Sequence, residues 1–447
     1  MSRGRRQLER EFQSECFEDI EDTIVNPDVR NFYQIAASIA NGALAAVVDA
    51  CQPGASVLDL CILGDRHILE SQGTIPRHYR QFRHGVAFPT SVAVNNIIGN
   101  CCPLKTDPPM FINPGDIVKI ELGVHFNTFP VMAGTTVHVP PGDGADSPVA
   151  DFPRLADLLS ATHYASLAAL QLLRPGHRCA DLRAAISQVA AHFRCNVIPG
   201  ILSTSLHREL VEGHKSFSLG AKDGRHPRDG ITFEEGEVYA VSILLSTGTG
   251  SCRLASQAAH PALSRPNIYA RQPLGFSTQL RLRASRTLLN QITEHHSVFP
   301  FSVRSLGDEA AIRLGLADLA SKDMVTPYPT FVEAPTETVA MAKFTVLLTH
   351  EGPLPVAFAP VDDRTHLIQP LDGLRELACF EALVAGARRL PALSTKGQVD
   401  LPDRLTRRFR TMGLGSRGPA GRRAQLEAVY SASSSEDDEL GVAGGGQ

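Results

Sequence analysis

The fold is set by a short stretch that occurs twice, first as Gln52-Pro53-Gly54-Ala55-Ser56-Val57-Leu58-Asp59-Leu60 and then as Arg174-Pro175-Gly176-His177-Arg178-Cys179-Ala180-Asp181-Leu182. Pro-Gly and Asp-Leu recur at the same spacing, offset by 122 residues. Each copy follows a helical pattern of apolar residues. Pro-Gly therefore ends one helix, and the next helix begins directly after it.

A second pair of segments repeats in the same order. Gly115-Asp116-Ile117-Val118-Lys119-Ile120-Glu121-Leu122 is similar to Gly236-Glu237-Val238-Tyr239-Ala240-Val241-Ser242-Ile243, offset by 121 residues. In both segments a Gly-acid turn precedes a strand rich in β-branched residues. Two matching offsets in one order predict an α+β fold made of two duplicated halves, and the cleft between the halves is the natural place for a site.

The composition limits the classes of function. The chain has 447 residues, 43 Lys+Arg, 47 Asp+Glu and 43% hydrophobic residues, so it is long enough to bury a large core. Its net charge of −4 excludes a surface that binds polyanions everywhere, but it allows local basic patches. The chain has no run of about 18 apolar residues, so we expect no membrane span. Nine scattered Cys without a CxxC pair indicate reduced thiols in a cytosolic or nuclear protein.

Three zones of composition predict the domain organisation. Residues 1–22 are charged and poor in apolar side chains, which is typical of a flexible arm. Residues 23–392 carry the periodic apolar segments, interrupted at about 285–335 by a predicted helical insertion whose clearest helix is Ala310–Ala320. Residues 393–447 form an Arg-rich and then acidic tail, which we expect to be disordered because it has too few apolar residues for a core.

Longer motifs in the folded zone resemble a known family. Ala87-Phe88-Pro89-Thr90-Ser91-Val92-Ala93-Val94-Asn95-Asn96 and Gly115-Asp116-Ile117-Val118-Lys119-Ile120-Glu121-Leu122-Gly123-Val124-His125 are similar to type 2 methionine aminopeptidases. They resemble still more the non-peptidase relatives of those enzymes, the proliferation-associated (ErbB-binding) proteins. Residues 236–241 and 343–348 extend the resemblance, which covers roughly residues 20–390. It implies the pita-bread α+β fold of two duplicated halves with a type 2 helical insertion, in agreement with the repeats.

The same resemblance implies a metal site that this sequence does not complete. An active aminopeptidase of the family holds two divalent metals with Asp, Asp, His, Glu and Glu, and a further His contacts the substrate; such ions need several anionic oxygens. The five ligand positions fall here on Glu121, Met132, Thr204, Ser242 and Lys343, and the substrate-contacting position falls on Asn100. A Lys343 ammonium beside Glu121 would fill the vacated charge site as an ion pair. We therefore expect a pseudo-enzyme without a metal or another cofactor.

Basic segments are the candidate RNA-binding sites. Arg77, Arg80 and Arg83 belong to the stretch 77–84, where interleaved aromatic residues would add base stacking to phosphate pairing; the alternative is a solvated loop. The tail carries seven further candidates, Arg404, Arg407, Arg408, Arg410, Arg417, Arg422 and Arg423. We expect these arginines to bind phosphate groups, to act as a nuclear or nucleolar localisation signal, or to keep the tail soluble. The function of a third basic cluster, which leads into the insertion, is left open. Within this cluster, Arg281 and Arg283 alternate with leucines and are predicted to lie on the solvent face of a strand.

The resemblance and these segments together predict a function. We expect a non-catalytic protein that binds ribosomal RNA, other structured RNA and the large (60S) ribosomal subunit near the nascent-chain exit, in ribosome biogenesis or translation regulation. The expected state is a monomer, and the expected locations are the cytoplasm, nucleus and nucleolus. The alternatives are a protein-interaction adaptor that uses the cleft or the insertion, a transcription or growth regulator without RNA binding, and a working metal-dependent methionine aminopeptidase.

Overall fold

The duplicated stretch forms the same turn in both halves of the computed structural model. Gly54 and Gly176 have left-handed φ angles of 84° and 85°, a conformation that glycine adopts without steric cost. The peptide N–H of Gly54 donates to the carbonyl of Ile112 (2.7 Å), and that of Gly176 donates to the carbonyl of Phe233 (2.8 Å). Equivalent residues thus make equivalent hydrogen bonds, which confirms the predicted duplication.

The structure describes residues 22–140, 152–220, 230–256, 263–272, 280–307 and 309–359, followed by 361, 367–370, 374–381 and 383. The predicted arm up to residue 21, the tail from 393 with its seven arginines, and most of the loop between the halves lie outside these residues. The described α-helices are α1 (Pro27–Ala50), α2 (Val57–Leu69), α3 (Phe152–Leu172), α4 (Cys179–His192), α5 (Arg283–His296) and α6 (Glu309–Ser321).

The described strands form three sheets, in which neighbouring strands pair antiparallel. They are β1 (His84–Val94), β2 (Ile97–Gly99), β3 (Ile117–Phe126), β4 (Phe129–His138), β5 (Asn196–Val197), β6 (Leu202–Ser205), β7 (Ser216–Ser218), β8 (Val238–Ser246), β9 (Arg253–Leu254), β10 (Ile268–Arg271), β11 (Phe301–Ser302), β12 (Val325–Tyr328), β13 (Phe331–Val332), β14 (Val339–Thr349) and β15 (Gly352–Ala357). The main sheet has the order β1-β3-β4-β14-β8-β6-β7, with β15 beside β14 and β5 beside β8. Two small sheets have the orders β11-β10-β12 and β2-β13-β9.

Each half covers its part of the main sheet with two helices. The turns described above start α2 and α4, and the Ser56 hydroxyl caps α2 by accepting from the Asp59 N–H (3.3 Å), which satisfies a free donor of the first turn. Helix α1 packs against β3 and β4, and α3 packs against β8 and β14. Two large apolar cores result, one in each half.

Helix α1 is the single helix of the described residues that is long and apolar enough to cross a membrane by length and composition. Its apolar residues, among them Phe32, Tyr33 and Leu44, are buried in the core of the first half. This packing is that of a core helix in a globular domain.

The halves meet in the middle of the main sheet, where β4 lies beside β14. The Thr136 hydroxyl donates to the carbonyl of Met341 and accepts from its N–H, both at 2.7 Å. The Thr345 hydroxyl makes the same pair of bonds with the backbone of Met132, at 2.8 and 2.9 Å. Between these two contacts, Gly134 lies opposite Lys343. The seam between the halves is therefore held by two threonines in equivalent roles.

The insertion is larger than the predicted 285–335. Helices α5 and α6 pack on one another, and α6 agrees with the predicted helix. Strand β10, which precedes the predicted start, pairs with both β11 and β12 and so belongs to the same module. The buried Arg304 guanidinium joins the module to the first half through an ion pair with Asp65 and a bond to the carbonyl of Thr90 (3.3 Å).

The predicted strand around Arg281 and Arg283 is wrong. Arg283 is the first residue of α5, and Arg281 lies in the coil before it, although both side chains are exposed as expected. The apolar residues that determine the local structure lie downstream, where Leu288 and Ile292 are buried at the helical spacing of four.

Candidate functional site

Five side chains predicted to replace metal ligands lie on neighbouring strands of the main sheet. Glu121 is on β3, Met132 on β4, Lys343 on β14, Ser242 on β8 and Thr204 on β6. These strands follow one another in the order β3-β4-β14-β8-β6. All five residues line one cavity, so the structure brings together the positions that the sequence identified.

The cavity has a volume of about 240 Å³ and a mostly apolar wall. Its apolar lining consists of Phe88, Ile98, Met132, Ile201, Leu202, Val211, Ala240, Leu244, Phe331 and Met341. Asn100, the residue at the substrate-contacting position, also lines it. A small, mostly apolar cavity with a few polar groups is typical of a binding site for part of a ligand.

The polar centre of the cavity is one cross-strand row of the sheet, which we call the central rung: Glu121, Gly134, Lys343 and Ser242. Glu121 and Lys343 are both paired with Gly134, and Lys343 is paired with Ser242. Residues paired in this way point to the same face of a sheet. The glycine leaves the space between the two charged residues open, and the Lys343 Nζ lies 2.5 Å from the Glu121 Oε1.

This ion pair is largely withdrawn from solvent. The side chain of Glu121 is 10% exposed and that of Lys343 is 17% exposed. The Lys343 ammonium also lies 5.8 Å from the centre of the Phe88 ring, within the range of a cation–π interaction. The predicted ion pair at the vacated charge site is thus confirmed.

The other polar groups do not supply a metal site. The Thr204 hydroxyl donates to the carbonyl of Val211 (2.9 Å), and Met132 offers only a thioether. Within the described parts of the chain, no group of three or more His, Cys, Asp or Glu side chains could hold a metal ion. Two divalent metals need several anionic oxygens, whereas the described lining of the cavity has two carboxylates: Glu121 is already paired with a cation, and Glu212 accepts a hydrogen bond from Tyr328. The residues present do not fit the dinuclear centre that the resemblance implies.

Ser242 is the exception among these polar groups. Only 4% of the residue is exposed, yet its hydroxyl has no hydrogen-bond partner among the described residues. Its peptide N–H donates to the Ser203 hydroxyl (3.0 Å), so the strand itself is well bonded. A buried hydroxyl without a partner is costly, and this one borders empty space.

Asn100 has a positional role beside the cavity. Its φ of 59° is left-handed, a conformation in which Asn is enriched. The side-chain amide donates to the carbonyl of Pro329 (2.9 Å), and the backbone carbonyl accepts from the Thr330 hydroxyl (3.1 Å). Asn100 thereby holds the end of β2 against the segment that follows the insertion.

Two cavity residues that the sequence did not indicate join the insertion to the second half. The Tyr328 hydroxyl, at the end of β12, donates to the Glu212 Oε1 (2.7 Å) in the loop after β6. Burial and the neighbouring Glu212 carboxylate raise the pKa of Tyr328 well above its usual value, so the phenol stays protonated. The Tyr328 ring packs edge-on to Phe88 at 5.8 Å. Since Tyr328 and Glu212 are 116 residues apart and lie outside the repeats, no local sequence pattern could have predicted their hydrogen bond.

The aromatic residues of the basic stretch 77–84 contact other aromatic rings of the first half. Tyr79 and Phe82 pack into an aromatic cluster with Phe32 and Phe126, with ring centres 5.0 to 6.4 Å apart. The hydroxyl of Tyr79 also accepts from the Asn31 side chain (3.0 Å). The interleaved aromatic residues are therefore partly buried and pack against the core of the first half.

The three arginines of this stretch lie on the surface. Arg80 uses its guanidinium to bind the carbonyls of Ile75 (3.0 Å) and Gly73 (3.4 Å). Arg77 and Arg83 are exposed, and their guanidinium groups make no hydrogen bond or ion pair with any residue that the structure describes. The two are the members of the stretch that remain available for phosphate groups.

The comparisons with known proteins agree on one protein family. The chain matches the model of metallopeptidase family M24 over residues 31–258. It is 35% identical over 339 residues to ErbB-3 binding protein 1 of Solanum tuberosum, covering 75% of this chain and 82% of that protein. It is 31% identical over 336 residues to the curved DNA-binding protein of Schizosaccharomyces pombe, covering 74% and 84%. A solved thermophilic Arx1 shares the fold, with a TM-score of 0.68 at 23% identity, covering 80% of this chain and 97% of that one.

Proposed function

The chain belongs to metallopeptidase family M24 and has its pita-bread fold, and on this premise we propose that it is a non-catalytic member that binds RNA and the large ribosomal subunit. The proposed role is in ribosome biogenesis or translation regulation near the nascent-chain exit. The proposed locations are the cytoplasm, nucleus and nucleolus, and the proposed state is a monomer.

The observation that carries the non-catalytic part is the ion pair of the central rung. A metal-bound hydroxide requires cations held by several carboxylates. Here the Lys343 ammonium occupies the space beside Glu121, the one carboxylate left from the ligand set. A dication placed there would meet a fixed positive charge, and removing either partner would leave a buried charge uncompensated.

The test of this part is metal content together with hydrolysis of a Met-Ala-Ser peptide. We expect less than stoichiometric metal after dialysis against Co²⁺ or Mn²⁺, and no release of methionine above the rate without protein. An active methionine aminopeptidase assayed in parallel is the control. Two bound metals per chain, with turnover that a chelator abolishes, would overturn the proposal.

The support for RNA binding is a set of exposed cations on a chain that is nearly neutral overall. Arg77 and Arg83 are exposed on the folded part, and the seven arginines between 404 and 423 have no acidic residue among them. Guanidinium groups bind phosphates with paired hydrogen bonds. One relative carries DNA binding in its name, which is consistent with a polyanion ligand. The resemblance to the proliferation-associated proteins adds the ribosome as the expected partner.

The test of this part is co-sedimentation of the full chain with purified large ribosomal subunits and, separately, with naked ribosomal RNA. We expect saturable binding to both that weakens as salt is added. Binding to subunits alone would place the contact on ribosomal proteins. Absence of binding to either would overturn this part of the proposal.

A protein-interaction adaptor is the second candidate. It is favoured by the name of the potato relative, which refers to binding ErbB-3, and by the apolar cavity described above. An adaptor would bind its partner at any salt concentration that leaves apolar contacts intact, so the salt dependence separates it from an RNA-binding protein. A transcription or growth regulator without RNA binding would give the same salt-insensitive result.

A further inference from the structure

We propose that the cavity anchors one apolar side chain of a partner polypeptide and that the central rung binds the uncharged backbone amide next to it. This inference rests on the proposed non-catalytic state of the cavity but not on RNA binding. It concerns a peptide that is held and released, without bond cleavage.

The size and wall of the cavity define the apolar part of the ligand. A volume of about 240 Å³ is below the roughly 300–1,000 Å³ of pockets for drug-sized molecules. The walls near the rung are formed by Ile98, Leu244 and Met341, which are buried together. At the rim, Leu202 is 50% exposed although it borders the cavity. One large apolar side chain fits this space, and the rest of the ligand would cover the exposed leucine.

The central rung defines the polar part. Glu121 offers an acceptor, Lys343 offers donors, and the Ser242 hydroxyl has no partner among the described residues although the residue is 96% buried. A peptide group presents one N–H donor and one carbonyl acceptor. It can donate to Glu121 or Ser242 and accept from Lys343, so it satisfies the hydroxyl that the protein leaves unbonded.

The charge of the rung selects a neutral amide over a free amino terminus. Glu121 and Lys343 already compensate one another. An additional ammonium in the cavity would place two cations around one carboxylate, and like charges at short distance disfavour the charged form. The Glu212 carboxylate at the rim is exposed and bonded to Tyr328, so water screens what it contributes. We therefore expect an internal residue or an acylated end as the ligand.

The experiment compares peptides that carry a fluorophore at the carboxyl end, by anisotropy with the full chain. The probes are acetyl-X-Ala-Ser, the same peptides with a free amino terminus, and acetyl-Ser-Ala-X-Ala-Ser, where X is Met, Leu or Phe; X as Asp is the side-chain control. We expect saturable binding of at least one acetylated apolar probe below about 1 mM. The free-amine form should bind at least about tenfold more weakly. The two acetylated series separate an acylated end from an internal residue.

Two variants link binding to the cavity. Ser242→Ala removes only the unbonded hydroxyl, so the stability should be unchanged or increased while peptide affinity falls roughly fivefold. Leu202→Asp should weaken binding, whereas Leu314→Asp, at a leucine of α6 that is 65% exposed and outside the cavity, should not. Equal loss with both leucine variants would place binding elsewhere.

Several outcomes would overturn the inference. No saturable binding of any acetylated apolar probe would do so, as would tighter binding of the free-amine forms. The same samples are analysed for cleavage by chromatography. Cleavage would contradict the non-catalytic proposal itself, whereas uncleaved probes that fail to bind would contradict this inference alone.

Discussion

Lys343 changes the chemistry of the central rung, and its effect can be measured as a change in the free energy of unfolding. Replacing Lys343 by Met would leave the Glu121 carboxylate, 10% exposed, without its cation. We expect the free energy of unfolding in urea to fall by roughly 2–4 kcal/mol, since an uncompensated buried charge is costly. The double variant Glu121→Gln with Lys343→Met should recover most of this loss.

The control for this prediction is an ion pair in which both side chains are exposed. Arg208 lies 3.2 Å from Asp22, and the two side chains are 46% and 41% exposed. Arg208→Met should therefore cost less than about 1 kcal/mol. Equal losses for Lys343→Met and Arg208→Met would show that the rung is not a buried pair.

Lys119 predicts a pH dependence of stability. Its Nζ donates to the carbonyls of Asn95 (2.7 Å) and Val339 (3.0 Å), and the residue is 1% exposed. Burial lowers the pKa of Lys119 from 10.5 to about 7, with Cys101 and Asp116 opposing the shift. Between these two pKa values the unfolded chain binds one proton more than the folded chain, so this group adds stability as the pH rises.

The measurement is the free energy of unfolding of the wild type and of Lys119→Met at pH 7 and pH 9.5. The wild type should gain about 1–3 kcal/mol more than the variant over this interval. The variant also loses the donor for both carbonyls, but that loss does not depend on pH. Parallel pH profiles of the two proteins would show that Lys119 titrates as an ordinary lysine.

At the scale of elements, the seam between β4 and β14 depends on two hydroxyls. Thr345 bonds the backbone N–H and carbonyl of Met132, and Thr136 bonds those of Met341. Thr345→Val keeps the shape but leaves a buried N–H and a buried carbonyl unsatisfied, so we expect a loss of about 1–3 kcal/mol in the free energy of unfolding. Thr345→Ser retains the hydroxyl and should cost less. Similar losses for Val and Ser would show that the methyl contact, not the bonds, holds the seam.

The elements that the sequence predicted are those that the duplication constrains. Gly54 and Gly176 both follow a proline and precede Asp-Leu at the same spacing, and a Gly-acid turn precedes both β3 and β8. The insertion has no second copy, and the alternating Leu and Arg of residues 280–283, which end at the first residue of α5, fit a strand as well as a helix start. The small sheet of β10, β11 and β12 has strands of two to four residues whose partners are far apart in sequence. Such pairings depend on tertiary contacts rather than on local pattern.

The candidate site likewise contains contacts that could be predicted from the sequence and contacts that could not. Glu121 and Lys343 lie inside matched strands, so their contact followed from the register of the sheet. The packing of Tyr79 and Phe82 against the core did not follow, because Tyr79 ends a short 3-10 turn, Phe82 lies in the irregular segment after it, and neither segment has one of the two regular periodicities. The unbonded hydroxyl of Ser242 is a property of its surroundings and has no signature in sequence.

At the scale of the whole molecule, the net charge of −4 hides an uneven distribution along the chain. Seven arginines lie between residues 404 and 423, and four acidic residues follow at Glu436–Glu439. If the arginines bind phosphate, the acidic run competes with RNA for them, and phosphate on the serines before it would add to this competition. Both segments lie outside the described residues, so their roles are best separated by changing each one alone.

The last prediction is therefore a comparison of two tail variants in the full chain by RNA binding at several salt concentrations. Replacing the seven arginines by Ser should lower the affinity and reduce the slope of log K against log salt by up to about 5, since each phosphate contact contributes roughly 0.7–0.9. Replacing Glu436–Glu439 by Ser should instead raise the affinity, because a competing anion is removed. Arg77→Ser with Arg83→Ser should reduce the slope by no more than about 2. A slope near zero for the wild type, unchanged in all three variants, would favour the adaptor and exclude an electrostatic grip on RNA.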